Sequence, residues 1–259
     1  MARATALVAA ALLATAAAAF AQTDEIQVYD GSIAAPGVLN LTWHDNFTPD
    51  GLKTPAFPGG IIPDKSLNGV TEWAYGVKPW LEAGLYLPLY SVSKNRGGAI
   101  NGGKLRLLFV EPHAANRRFI YAVNFEFSYN AAYWEPRRYT SEIRPILGVR
   151  LRQWDLIANP ILDNSYVGGL GGLDFAPAAR IAYNFTPKFA LAVEDYSDAG
   201  ELRGFAPTDR QSHEVWGVLD KSTKFADIET GIGFGLTPGS DRITLKLMLS
   251  RNIYVPGSR

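Results

Sequence analysis

Large apolar side chains recur at every second position along most of this chain, the period of strands whose two faces meet different surroundings. Leu81, Ala83, Leu85, Leu87 and Leu89 share one parity, and Glu82, Gly84 and Tyr86 the other. Phe119, Tyr121, Val123, Phe125, Phe127 and Tyr129 alternate with Ile120, Ala122, Asn124, Glu126 and Ser128. The pattern predicts about twelve strands: 37–47, 67–77, 80–92, 100–111, 117–129, 139–150, 153–163, 172–184, 187–197, 211–220, 223–236 and 241–252. The links alternate too. Those after the first, third, fifth, seventh and ninth strands are long, as in 48–66, 130–138 and 198–210, whereas the others are mostly two to five residues, as is the turn at Thr237 to Ser240. An even number of antiparallel strands, with tight turns at one end and loops at the other, predicts an all-β, up-and-down transmembrane barrel in a bacterial outer membrane. Both chain ends then fall at the short-turn, periplasmic end.

A soluble barrel shows the same period, so the chemistry of the minor face has to decide. That face is mostly small, with Ala122, Gly148, Ala176, Ala178, Ala190, Ala192, Gly231, Gly233 and Gly235, which suits a confined interior. The major face is bulky and carries Trp43, Trp73, Tyr75, Tyr129, Trp154, Tyr183 and Phe185 near strand ends, as interfacial girdles do.

Composition narrows the function classes. Lys plus Arg and Asp plus Glu each number 25 in 259 residues, so the basic surplus that a nucleic-acid partner demands is missing. With 47% hydrophobic and 19% charged residues the chain can bury enough surface to fold. It has no cysteine, which excludes disulfides, thiolate metal sites and thiol nucleophiles. Residues 1–21 read as a secretory signal peptide, with Arg3, an Ala-rich apolar run and the cleavage pattern Ala19-Phe20-Ala21. Residues 22–36 then form a periplasmic segment or a plug, residues 37–254 the barrel and 255–259 a tail.

The segments Glu25 to Tyr29, Leu67 to Val77, Glu82 to Pro88 and Ala178 to Phe185, with the last strand, resemble small proteobacterial outer-membrane β-barrels of the transporter and channel-like kind. The resemblance covers nearly all of the mature chain and rests on structural motifs alone. It implies outer-membrane location, contact with membrane lipid and the barrel-assembly machinery, and transport of a small solute. One departure is the C-terminus: such barrels usually end on an aromatic residue, and this chain runs on from Tyr254 to Arg259.

The parity assignment puts Lys104, Arg106, Arg144, Arg150, Arg180, Lys188, Arg242 and Lys246 in the lumen with Glu72, Glu82, Glu126, Glu142, Asp174, Glu194, Asp227 and Glu229. Equal numbers of opposite charges permit a dry lumen closed by ion pairs or a narrow wet pore. The neighbours expected across strands are Glu126 with Lys104 or Arg144, and Glu229 with Lys246. Residues 22–36 or the 48–66 loop can fold inward and close it.

The catalytic alternative rests on three histidines. His44 beside Asp45, and His213 beside Asp209 and Glu214, are expected at the outer rim, where they could activate water as in omptin-like proteases; His113 is expected in a periplasmic turn. No histidine is followed by a serine two residues on, the spacing of outer-membrane lipases. The glycine run 168–172 precedes no helix and so lacks a phosphate cradle. No cofactor or metal-ligand spacing is present, and the sequence points to a non-enzymatic barrel, with a structural or adhesive role as the remaining class.

Overall fold

The computed structural model describes residues 25–114, 117–164 and 172–253. The signal-peptide span, Tyr254 with the tail, and residues 168–171 of the glycine run lie outside them.

Among the described residues, fourteen strand segments close into an antiparallel barrel of twelve strands. They are β1 (Leu39–Asp50), β2 (Ser66–Lys78), β3 (Leu81–Ser93), β4 (Gly97–Val110), β5 (Phe119–Asn130), β6 (Tyr139–Leu151), β7 (Trp154–Asn159), β8 (Leu162–Asn164), β9 (Asp174–Phe175), β10 (Ala178–Thr186), β11 (Phe189–Asp198), β12 (Ser212–Ser222), β13 (Asp227–Gly235) and β14 (Ile243–Ile253). β6 pairs with both β7 and β8, β8 with β9 and β7 with β10; elsewhere each strand pairs with its sequence neighbour, and the ring closes where β1 meets β14, Leu39 opposite Ile253.

Two of the expected strands are each broken in two. The seventh is interrupted at Pro160-Ile161 and the eighth at Ala176-Pro177, because proline brings no N–H to the ladder. The link between β3 and β4 is three residues, Lys94 to Arg96, and not the long loop its position predicts. The turn after β4 is correspondingly longer than expected, running from Glu111 to Arg118.

The outer wall is apolar. Trp43, Trp73, Leu85, Leu105, Tyr121, Phe127, Leu147, Ile181, Val193 and Ile232 all stand exposed on it, with Leu105 at 61%. Such a belt is stable against hydrocarbon and not against water. At the short-turn end, Trp154, Tyr183, Phe185 and Phe189 form a chain of ring contacts with centroids 4.8 to 5.5 Å apart. Tyr129 and Tyr139 meet at 5.6 Å towards the loop end.

The interior is filled from within the chain. Residues 25–38 run inside the wall ahead of β1, and Ile26, Val28 and Tyr29 pack on inward-facing Leu108, Val110, Ile120, Ile146, Ile157, Ala182, Trp216 and Val218. The segment leaves past Gly76, where Gly37 N–H donates to the Gly76 carbonyl and Gly76 N–H to that of Val38, at 2.8 and 3.0 Å. A Cβ at Gly76 would stand 2.2 Å from the Ala35 carbonyl oxygen, so only glycine admits this crossing. Gly233 has the same role under Trp216, whose indole lies 2.1 Å from where a Cβ would be.

Candidate functional site

Among the described residues the lumen contains two buried charge networks. In the first, Arg106 on β4 pairs with Glu82 and, at 2.8 Å, with Glu72, and its guanidinium donates to the hydroxyls of Tyr29 and Tyr86, each at 3.2 Å. His44 Nε2 lies 3.1 Å from the other oxygen of Glu72. Tyr29 and Tyr86 share a 2.6 Å hydrogen bond, and the Tyr29 hydroxyl donates to Glu126 at 3.3 Å. Lys104 pairs with Glu126 at 3.6 Å and Arg144 with Glu142 at 2.6 Å. Glu126 stands directly opposite Glu142 in the ladder, so the two cations on either side hold that like-charged pair together.

The second network joins Arg180, Glu194, Asp220, Glu229 and Lys246. Arg180 faces Glu194 across the ladder and pairs with it and with Asp220. Lys246, its side chain wholly buried, donates to Glu194 and Glu229, each at 2.6 Å.

Both networks also grip the inward segment. Lys246 donates to the carbonyl of Ile26 and Arg144 to that of Gln27, both at 3.2 Å. Asn159 takes both groups of one residue, accepting from Tyr29 N–H at 2.7 Å and donating to its carbonyl at 3.0 Å. Glu82 accepts from Ala34 N–H at 2.6 Å. Side chains thus replace the partners that a strand would have supplied.

Of the charges assigned to the lumen by parity, Glu72, Glu82, Lys104, Arg106, Glu126, Glu142, Arg144, Arg180, Glu194, Glu229 and Lys246 belong to these networks. Arg150 pairs with Asp30 of the segment and with Asp155, each at 3.6 Å. Asp174 meets Arg137 at 3.3 Å towards the loop end. Three placements differ from the parity reading. Arg242 precedes β14, is 81% exposed and reaches Asp50; Asp227 begins β13 at the turn and is exposed; Lys188 lies in the turn between β10 and β11. Parity gives a face only within a ladder, and these three sit at its ends.

His44 departs from the rim expectation, whereas His213 keeps its place at the loop end. His44 is fully buried in the lumen against Glu72, while Asp45 points the other way and accepts from the Tyr90 hydroxyl at 2.6 Å. His213 stands on β12, separated from β1 by β14 and β13. Its partners are neither Asp209 nor Glu214 by hydrogen bond: Nε2 is 2.8 Å from Gln211 Oε1, and Nδ1 is 2.8 Å from Ser197 Oγ. His113 occupies the turn after β4 with φ of 65°.

Above the segment a cavity of about 320 Å³ is lined by Glu25, Gln27, Lys104, Glu126, Glu142, Arg144 and the loop-end residues Trp134, Arg137, Asp174, Glu214 and Asp241. Glu25 is buried beside this space, yet neither of its oxygens accepts a hydrogen bond; Arg144 approaches it to 3.9 Å. It lies outside the spanning strands, and burial, reinforced by the nearby Glu126, pushes its carboxyl up to about 7. At the cavity mouth Asp64 ties the loop after β1 to that after β3, pairing with Lys53 and, at 2.5 Å, with Lys94. Those two ammonium groups hold its carboxyl well below the usual range.

What the sequence did not disclose is the apolar half of the lumen. Continuous runs such as Leu107-Leu108-Phe109-Val110 and Pro145-Ile146-Leu147 carried the signal, because a strand apolar on both faces is covered on both.

Neither a protein family nor a curated protein matches the sequence. Solved structures do match the fold. The chain is similar to the COG4313 outer membrane channel from Pseudomonas putida F1, at 15% identity and a TM-score of 0.58, over 88% of this chain and 100% of that one. LpxR from Salmonella typhimurium aligns at 6% identity with a TM-score of 0.41, over 82% and 99% of the two chains. OccK11 (OpdR) from Pseudomonas aeruginosa aligns at 12% with 0.40, over 92% and 74%. The fold is that of an outer-membrane β-barrel.

Proposed function

We propose that this chain is an outer-membrane channel for small solutes, with residues 1–21 removed on export and the short turns and both termini in the periplasm. The carrying observation is an apolar, aromatic-rich wall around a lumen that is charged, open at the loop end as a cavity and filled lower down by residues 25–38. The similar Pseudomonas putida structure is described as a channel, which supports the reading. The segment acts as a plug, and the paired charges line the path on either side of it. Membrane lipid and the barrel-assembly machinery are its partners.

Planar-bilayer recording of the folded full chain tests this. Discrete conductance steps in the intact protein, or in a variant with the segment removed, support the channel; no conductance in either rejects it.

A hydrolytic reading would rest on Ser197, His213 and Gln211, because Gln211 can hold the Nε2 proton and leave Nδ1 to accept from the serine hydroxyl. The Ser197 hydroxyl also reaches Asp195, at 3.0 Å. We expect no turnover of a p-nitrophenyl ester above that of Ser197→Ala. Turnover that this substitution abolishes would make the barrel an enzyme.

A further inference from the structure

We propose that the cavity above the inward segment is a binding site for a linear polyamine, an inference that rests on the channel reading and names its solute class. The chain as a whole carries equal numbers of opposite charges, but the cavity does not. Nine carboxylate side chains line it against three cationic ones, Lys104, Arg137 and Arg144. Each of those three already stands beside a carboxylate: Lys104 beside Glu126, Arg144 beside Glu142, and Arg137 beside Glu135 and Asp174. A surplus of negative charge in a confined space raises the local concentration of cations and favours their entry.

Acidity alone does not define a ligand, and Glu25 supplies the independent observation. Its residue surface is 8% exposed, it faces the cavity, and neither oxygen accepts a hydrogen bond. Burying a carboxylate in that state is costly unless a donor approaches it, and an ammonium group entering the cavity would be such a donor.

The spacing of the acids selects among cations. Glu25 is on the segment, Asp163 on β8, Asp198 on β11, Glu214 on β12 and Asp241 before β14, so the negative charge is spread around the wall. Among the described residues no three carboxylates or histidines converge closely enough to hold a metal ion. Separated carboxylates match a chain of separated ammonium groups. The apolar lining of the cavity by Trp134, Ile161 and Pro177 suits the alkyl links between them. The volume, about 320 Å³, is at the small end of ligand pockets, which fits a short polyamine.

Calorimetric titration of the folded full chain in detergent with spermidine is the test. Saturable binding is expected, with magnesium chloride at matched ionic strength failing to compete. Glu25→Gln, which keeps shape and removes charge, should bind about tenfold more weakly through loss of one charge-assisted hydrogen bond. Asp163→Asn, on β8 opposite Glu142, makes the same test from the barrel wall should the first variant not fold, a point checked by heat-modifiable migration. Competition by magnesium equal to that by spermidine, or unchanged affinity in both folded variants, would overturn the proposal. A chain that conducts but binds no spermidine overturns this inference alone, whereas one that binds spermidine and never conducts overturns the channel reading and leaves the site.

Discussion

Deleting residues 25–36 is expected to raise single-channel conductance several-fold over that of the intact chain, in recordings at equal salt and voltage. The segment fills the barrel at the height of Tyr29, where the rings of Tyr29 and Tyr86 and the guanidinium of Arg106 meet. Its release leaves Leu108, Val110, Ile120, Ile146 and Ile157 lining open space, and burial of Ile26, Val28 and Tyr29 contributes about 1.5–3 kcal/mol each. The deletion should therefore both widen the path and lower barrel stability. Gly76→Val reaches the same end with the segment present, since its side chain would occupy the space now taken by the Ala35 carbonyl. If conductance in both variants matches the intact chain, ions do not pass where the segment lies, and the plug is no plug.

The second large effect is expected at Lys246. Lys246→Met leaves Glu194 and Glu229 without the ammonium that now binds both, and strands the carbonyl of Ile26. Removing one partner of a buried ion pair typically costs about 3–5 kcal/mol, because the charge left behind stays desolvated. The urea midpoint of the chain refolded in phosphocholine vesicles should fall accordingly, with the slope unchanged. Arg242→Ala, which breaks the exposed pair with Asp50, should leave the midpoint unmoved. Equal midpoints for the Lys246 variant and the parent would mean that water reaches the network and hydrates Glu194.

The barrel was legible in the sequence because a lipid-facing wall imposes one rule on every strand. The outward residues from Trp43 to Ile232 obey it, and strand limits were recovered to within a few residues. The prolines at 160 and 177 were visible but not their effect, since an edge or loop-end proline is tolerated in a ladder and only pairing reveals the break. The charge networks were half legible. Parity placed Arg180 and Glu194 on the inner face, and their facing positions on adjacent strands follow from it. It could not show that Arg106 prefers Glu72 and Glu82 to Glu126, its ladder partner, because that choice depends on how long side chains reach along a tilted wall. Nor could counting eight charges of each sign show that the acids gather at the loop end. That depends on height along the barrel axis, which a list of faces does not contain.

The grip on Ile26 and Gln27 has a mechanical side. Lys246 is on β14 and Arg144 on β6, and around a ring of twelve strands those two stand half a turn apart. Two adjacent carbonyls are therefore tied to opposite walls, and the segment works as a tie-rod across the diameter. A barrel of small circumference can flatten into an ellipse under the lateral pressure of a bilayer; this one has its width fixed from inside at that height. Any solute that displaces the segment must at the same moment free the cross-section to change shape.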